Sequence, residues 1–200
     1  CILDSGIDAS HPELFGRVRM TEAVEESEGR VSTAVLDPSL NNDQLGHGTA
    51  TAGVVARLAP NAELLDIRVM GRQTRLRGEA LLAGLERAIK LDARVINISL
   101  AVSKRFALPL SRLCDQAYKK GMVVVAAKRN LPLTDQGFPG EFASCVGVES
   151  GAFRRPLDIL YRPGEIIEYA AQGENVEVPV AGGGWTIQSG ASFAAPAVSA

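Results

Sequence analysis

Several residue types that mark whole protein classes are scarce in this 200-residue chain. There are three cysteines, Cys1, Cys114 and Cys145, with no C-x-x-C pair and no histidine at metal-ligand spacing from any of them. That is too few and too scattered for a disulfide framework or a zinc site. The odd count favours reduced thiols. Together with a composition rich in arginine and glutamate and poor in tyrosine, it leaves the compartment open, with a lean toward cytoplasmic over secreted. Neither sign of charge dominates: 21 Lys and Arg face 23 Asp and Glu, a net charge of -2. Nucleic-acid binding by bulk electrostatics is therefore not expected. No apolar run approaches the roughly 18 residues a membrane span needs. The longest, such as Met122 to Ala127, have strand length.

What is present is ordinary for a soluble globular protein: 46% apolar and 22% charged residues. This length suits one domain, able to bury roughly 70% of its unfolded surface without covalent staples. No repeat, low-complexity tract or linker interrupts it. Short apolar runs alternate with helical patterns. Leu64 to Met70 is strand-like. Gly78 to Leu91 carries Leu81, Leu82, Leu85, Ala88 and Ile89 as one amphipathic stripe. Arg94 to Leu100 is β-branched, and Leu108 to Lys120 reads as a helix stopped at Gly121. Met122 to Ala127 is apolar throughout, as expected of a strand covered on both faces. Beyond about Asn130 come glycine-rich loops and short strands. The pattern predicts an α/β fold with a parallel sheet sandwiched by helices.

In such sheets ligands sit outside the carboxyl ends of the strands. Polar residues just after apolar strands are thus the candidates: Asp4, Asn97, Ser99, Asn130 and Ser192. Of the two histidines, His11 precedes Pro12 and reads as a plain loop residue. His47 lies in Gly46-His47-Gly48-Thr49 at a helix start, where the glycines leave room for another backbone or a substrate. Alone it fits a helix cap as well as a general base. Ser192, in Gly190-Ala-Ser-Phe-Ala-Ala-Pro196, fits a helix N-cap as well as a nucleophile. Asp4-Ser5-Gly6 fits a turn.

Their order is more telling than any one of them. Leu-Asp-Ser-Gly-Ile-Asp, Gly-His-Gly-Thr and Gly-x-Ser-x-Ala-x-Pro occur in the sequence Asp, His, Ser, which resembles the subtilisin-like serine proteases (subtilases). Ala59 to Leu64, Val95 to Leu100 and Val123 to Ala127 followed by Asn130 resemble further segments of that family. The resemblance implies a three-layer subtilisin-like fold and a serine endopeptidase, a hydrolase. In it Ser192 is the nucleophile, His47 the general base and Asp4 its orienting partner, while the Asn130 amide and the Ser192 N–H bind the oxyanion. It also implies that Ser99, Leu100 and Ala101 pair with the substrate backbone as an added strand. No cofactor is expected. Too few residues follow the His47 helix for the family's calcium loop, so no metal is expected there. The expected partner is a peptide or protein substrate, with no nucleic acid, no membrane and a monomeric state.

Some positions depart from the family pattern. Lys128-Arg129 precedes Asn130 where alanine and glycine are usual. Arg129 either narrows the pocket for the residue before the scissile bond, offers charge to an acidic side chain there, or points to solvent. Arg68, Arg72, Arg75 and Arg77 add cations to a loop that would border the same cleft. Ala101 and Val102 stand in place of a glycine, and Ala191 in place of threonine. Two alternatives stay open: a catalytically impaired binding module, and a peptide ligase or macrocyclase built on the same acyl-enzyme chemistry. Cys1 to Leu3 reads as the end of a strand, and Pro196 to Ala200 stops within a helix. Residues 1–200 are therefore expected to be a single peptidase domain clipped at both ends.

Overall fold

Strands made of apolar, β-branched residues on both faces need helices on both sides to cover them, and the described residues supply four. The structure, a computed structural model, describes residues 1–27, 30–72, 78–129 and 136–200. The first half runs β1 (Ile2–Asp4), β2 (Val18–Ser27), β3 (Arg30–Leu36), α1 (His47–Leu58), β4 (Leu64–Arg68), α2 (Gly78–Lys90) and β5 (Val95–Ile98). The second half runs α3 (Ala107–Lys119), β6 (Val123–Ala127), β7 (Val146–Gly151), β8 (Ile159–Tyr161), β9 (Tyr169–Gln172), β10 (Val176–Pro179), β11 (Trp185–Gln188) and α4 (Ala191–Ser199).

Nine strands form one sheet in the order β3-β2-β4-β1-β5-β6-β7-β9-β8, and β10 and β11 pair as a separate hairpin. From β2 to β9 every neighbour is parallel, and only the edge strands β3 and β8 run antiparallel. Helices α2 and α3 cover one face: Leu81, Leu85 and Ile89, then Leu110, Cys114 and Ala117, pack on Ile67, Ile96 and Val124. Helices α1 and α4 cover the other, with Ala50, Val54, Ala194 and Ala195 against Val125 and Val148. The result is the expected three-layer α/β architecture. Each fully buried leucine or isoleucine in these layers contributes about 1.5–3 kcal/mol relative to exposure. Small residues dominate α1 and α4, which lets both helices approach the sheet closely.

The helical stripes read from sequence agree with α2 and α3 to within one residue at either end, and Gly121 follows α3 in the left-handed region at φ 76°. The β2–β3 hairpin is the part the pattern did not reveal. Its signal is hidden by charge, because Glu22 sits on a central stretch of β2. That carboxylate is buried only because Arg87 of α2 meets it with two hydrogen bonds of 2.8 and 2.7 Å. His11 also differs from expectation. It lies in a loop but is buried, with Nε2 donating to the Gly184 carbonyl at 3.0 Å, Nδ1 accepting from the Glu13 N–H, and its ring edge-on to Trp185. It pins the β10–β11 turn to the first loop. Among the described residues, no helix is long and apolar enough to cross a membrane.

Candidate active site

Asp4 is the last residue of β1, a central strand hydrogen-bonded to β4 on one side and β5 on the other. The carboxyl ends of parallel strands face a common rim, and Asp4 reaches that rim fully buried. Helix α1 begins there with His47. Its N-cap, Gly46, sits at φ 84°, a left-handed conformation that glycine adopts without strain. Gly48 permits the close contact beneath: a Cβ at that position would lie 2.1 Å from the Gly6 carbonyl oxygen and 3.2 Å from the Asp4 Cβ.

His47 and Asp4 are thereby brought together. Nδ1 of His47 lies 2.7 Å from Oδ1 and 2.9 Å from Oδ2 of Asp4. A carboxylate only accepts, so Nδ1 carries the proton and Nε2 is left as the basic nitrogen. The His47 side chain keeps 28% of its surface exposed while Asp4 keeps none. One end of the pair is sealed and the other is open to an incoming molecule. Burial pulls the His47 pKa down, but the Asp4 charge, its hydrogen bond and the Asp43 charge outweigh this, so the net shift is upward.

Ser192 is the second residue of α4, and the N-cap is Gly190 at φ 145°. The N-cap reading of Ser192 therefore does not hold. Its own N–H falls in the first helical turn, where no intrahelical acceptor exists. The neighbouring Phe193 ring lies 6.0 Å from the His47 ring, centroid to centroid, which brings the start of α4 beside α1. The Ser192 hydroxyl donates to the Ser99 carbonyl at 3.2 Å, and the Ser99 hydroxyl donates to the Ser192 carbonyl at 2.9 Å. Asn97 extends this lattice, with Nδ2 donating to Ser99 Oγ and Oδ1 accepting from Ser199 Oγ, both at 3.0 Å. Both ends of α4 are thus tied to the segment at the end of β5.

Leu100 and Ala101 lie half-buried next to Ser192's partner Ser99, and at Val102 the strip makes an antiparallel bridge with Phe138. Among the described residues neither Leu100 nor Ala101 has a backbone hydrogen-bond partner. Arg129 is half-buried, and a Cβ added to Gly137 would meet the Arg129 Cβ at 2.4 Å, so the Arg129 stem rests on the Gly137 turn. Lys128 instead contacts Glu149 at 2.6 Å, and Arg162 contacts the same carboxylate at 2.6 Å. Burial raises the Glu149 pKa, yet the hydrogen bonds and charges of the two cations bring it below the usual value. Arg68 donates to the Asn42 carbonyl at 3.0 Å, and Arg72 is exposed. Asn130, Arg75 and Arg77 lie outside the described residues. Among those described, no group of three or more His, Cys, Asp and Glu side chains is arranged to hold a metal ion.

One functional candidate escaped the sequence reading. Asp43, four residues before His47, accepts from the Ser5 hydroxyl, the Leu45 and Gly46 N–H groups, and both the N–H and hydroxyl of Thr49. An aspartate this close before a glycine-flanked helix start is the one signal that could have found it.

With this geometry in place, comparison with known proteins decides the family. The Subtilase family model (peptidase S8) matches residues 1–200. The chain belongs to the subtilase family. Among curated subtilases, the intracellular serine protease of Paenibacillus polymyxa is 28% identical over 98% of this chain and 63% of its own length. Subtilisin DY of Bacillus licheniformis is 30% identical over 98% of this chain and 72% of its own length. This subtilase chain spans only 51% of a third relative, the alkaline elastase YaB of Bacillus sp. strain YaB. Of solved structures, the S41 psychrophilic protease superposes with a TM-score of 0.77 at 22% identity, covering 99% of this chain and 73% of that one. A cold-adapted subtilisin-like serine proteinase gives 0.77 at 21%, covering 99% and 71%. At that identity the likeness speaks for the fold, which is subtilisin-like.

Proposed function

We propose that this subtilase is a serine endopeptidase that hydrolyses peptide bonds through Ser192, His47 and Asp4. The observation that carries the reading is the two-oxygen contact of buried Asp4 with His47, next to the α4 turn that bears Ser192. A serine hydroxyl is a weak nucleophile, so a base must take its proton as it attacks. His47 is prepared for this, since Asp4 holds Nδ1 protonated and leaves Nε2 to accept. In the resting arrangement the Ser192 hydroxyl is turned to the Ser99 carbonyl. Attack on the substrate carbonyl requires that bond to be exchanged for one to His47. The imidazolium then formed is stabilised by Asp4 and gives its proton to the leaving amine. Water repeats the sequence on the acyl-enzyme.

The oxyanion is assigned to the Ser192 N–H, favoured by the N-terminal end of α4, and to the Asn130 amide. The substrate backbone is assigned to Ser99, Leu100 and Ala101; among the described residues the backbone groups of Leu100 and Ala101 have no hydrogen-bond partner and suit an added strand. Arg129, whose stem rests on the Gly137 turn, is assigned the role of favouring an acidic side chain before the scissile bond. A fluorophosphonate probe should label the protein on Ser192, and Ser192→Ala should abolish labelling and lower peptidase kcat by 10^4-fold or more, on the order seen for triad residues. Labelling that survives Ser192→Ala would refute the assignment. A wild-type protein that binds peptides but is never labelled would instead favour the impaired binding module.

A further inference from the structure

Asp43 makes more hydrogen bonds than its place in a loop requires. Oδ1 accepts from Ser5 Oγ at 2.7 Å, Gly46 N at 2.8 Å and Leu45 N at 3.0 Å. Oδ2 accepts from Thr49 Oγ1 at 2.6 Å and Thr49 N at 2.8 Å. Helix α1 needs these bonds, because its N-cap is a glycine with no side chain and its first N–H groups have no intrahelical acceptors. Asp43 takes that capping role from outside the helix.

The same carboxylate also reaches the other half of the catalytic pair. Ser5 directly follows Asp4, and its hydroxyl donates to Asp43 while accepting the Gly48 N–H at 2.9 Å. Thr49 Oγ1, held by Asp43, accepts the Asp8 N–H at 2.9 Å. Two chains of hydrogen bonds thus run from Asp43 to the turn after β1 and to the first turn of α1. Asp4 and His47 sit on those two pieces of backbone, which share no covalent constraint across the 42 residues between them.

We propose that Asp43 is a positioning residue: through Ser5 and the first turn of α1 it sets the Asp4–His47 contact on which the proposed hydrolysis depends. The inference rests on the serine-protease reading for its effect on catalysis, but its structural content is independent of that reading. Asparagine at this position keeps one acceptor oxygen and loses the charge, and alanine keeps neither.

The test compares wild type, Asp43→Asn, Asp43→Ala and Ser5→Ala by two readouts. The first is kcat and KM on a peptide substrate. The second is NMR of the two histidines, following the low-field His47 Nδ1 proton and the His47 titration. Asp43→Ala should lower kcat by about 10-fold or more with KM nearly unchanged. It should weaken or shift the low-field proton and move the His47 titration to lower pH. Asp43→Asn should fall between wild type and alanine, and Ser5→Ala should disturb the proton without removing the Asp43 charge. Wild-type kcat together with an unmoved Nδ1 proton in Asp43→Ala overturns the proposal, as does an unmoved proton in Asp43→Asn and Ser5→Ala if the alanine variant fails to fold. Should the wild type prove inactive toward peptides and fluorophosphonates, the proposed function fails, and the NMR comparison still decides whether Asp43 sets the contact.

Discussion

Replacing Asp66 by asparagine should remove a loss of stability that builds up between about pH 4 and 8. Asp66 lies in β4 opposite Thr21 of β2 and is completely buried. Its Oδ2 accepts the Ile7 N–H at 3.1 Å, while Oδ1 and the Thr21 hydroxyl are buried without a well-aligned partner. Burial drives the Asp66 pKa up, the charges of Asp43 and Asp4 push it further, and the Ile7 and Thr21 groups offset only part, leaving it at about 8 against an ordinary 3.8. The folded state therefore holds a proton that the unfolded chain releases above pH 3.8, so stability declines as pH rises through this window. Each pH unit costs about 1.4 kcal/mol, and the whole window on the order of 5 kcal/mol. That is a large share of the roughly 5–15 kcal/mol by which a domain of this size is stable. Asparagine keeps an acceptor for Ile7, carries no titrating proton, and offers Thr21 a donor. Urea unfolding of wild type and Asp66→Asn from pH 4.5 to 8.5 should give curves that converge at low pH and separate steadily above it. Parallel curves would mean that Asp66 is ionised in the folded protein, and the argument from burial and neighbouring charge would be wrong. Asp66→Ala, which also loses the bond to Ile7, should cost about 1–3 kcal/mol at every pH.

Other expectations follow from the same geometry. In the proposed mechanism the neutral His47 imidazole is the base and its pKa is raised, so the acid limb of kcat/KM should lie above 6.5 and move down in Asp43→Asn; a limb below 6.5 in wild type contradicts it. Gly48→Ala forces a Cβ to 2.1 Å from the Gly6 carbonyl, so it should destabilise by several kcal/mol or displace Asp4 and cut kcat by about 100-fold, as read by thermal melts and peptide assays. A peptide library should show enrichment of Asp and Glu before the cut that Arg129→Gly abolishes, and an unchanged profile refutes the role given to Arg129. Leu85→Ala, deleting a fully buried side chain between α2 and the sheet, should cost about 2–5 kcal/mol without altering KM, and a smaller loss would show that the site collapses to fill the gap.

Much of this architecture could be read from local pattern. The α2 and α3 stripes, the apolar strand β6 and the helix starting at His47 are short-range signals, carried by residues three or four apart or by glycine and its neighbours. The three motifs around Asp4, His47 and Ser192 were legible for the same reason, since each is confined to a few adjacent residues. What escaped notice depends on partners distant in sequence. Glu22 reads as surface until Arg87 of α2 is seen beside it. His11 reads as loop until Gly184 and Trp185 close over it. Lys128 and Arg129, alike as neighbouring cations, go to different places, one to Glu149 and the other to the Gly137 turn.

By itself, then, the sequence determined the fold class, the covered sheet and three motifs that carry the candidates Asp4, His47 and Ser192, because periodicity and turn chemistry are written in adjacent residues. Only the tertiary structure decided that Asp4 and His47 meet and that the Ser192 hydroxyl turns to the Ser99 carbonyl. Asp4 meets His47 because β1 lies at the centre of the sheet and α1 begins over its carboxyl end. Asp43 joins the two because a loop between them folds back onto both. A carboxylate becomes a cap, a buried acid or an ion-pair partner according to the groups that desolvation and packing place around it. Those groups come from elsewhere in the chain.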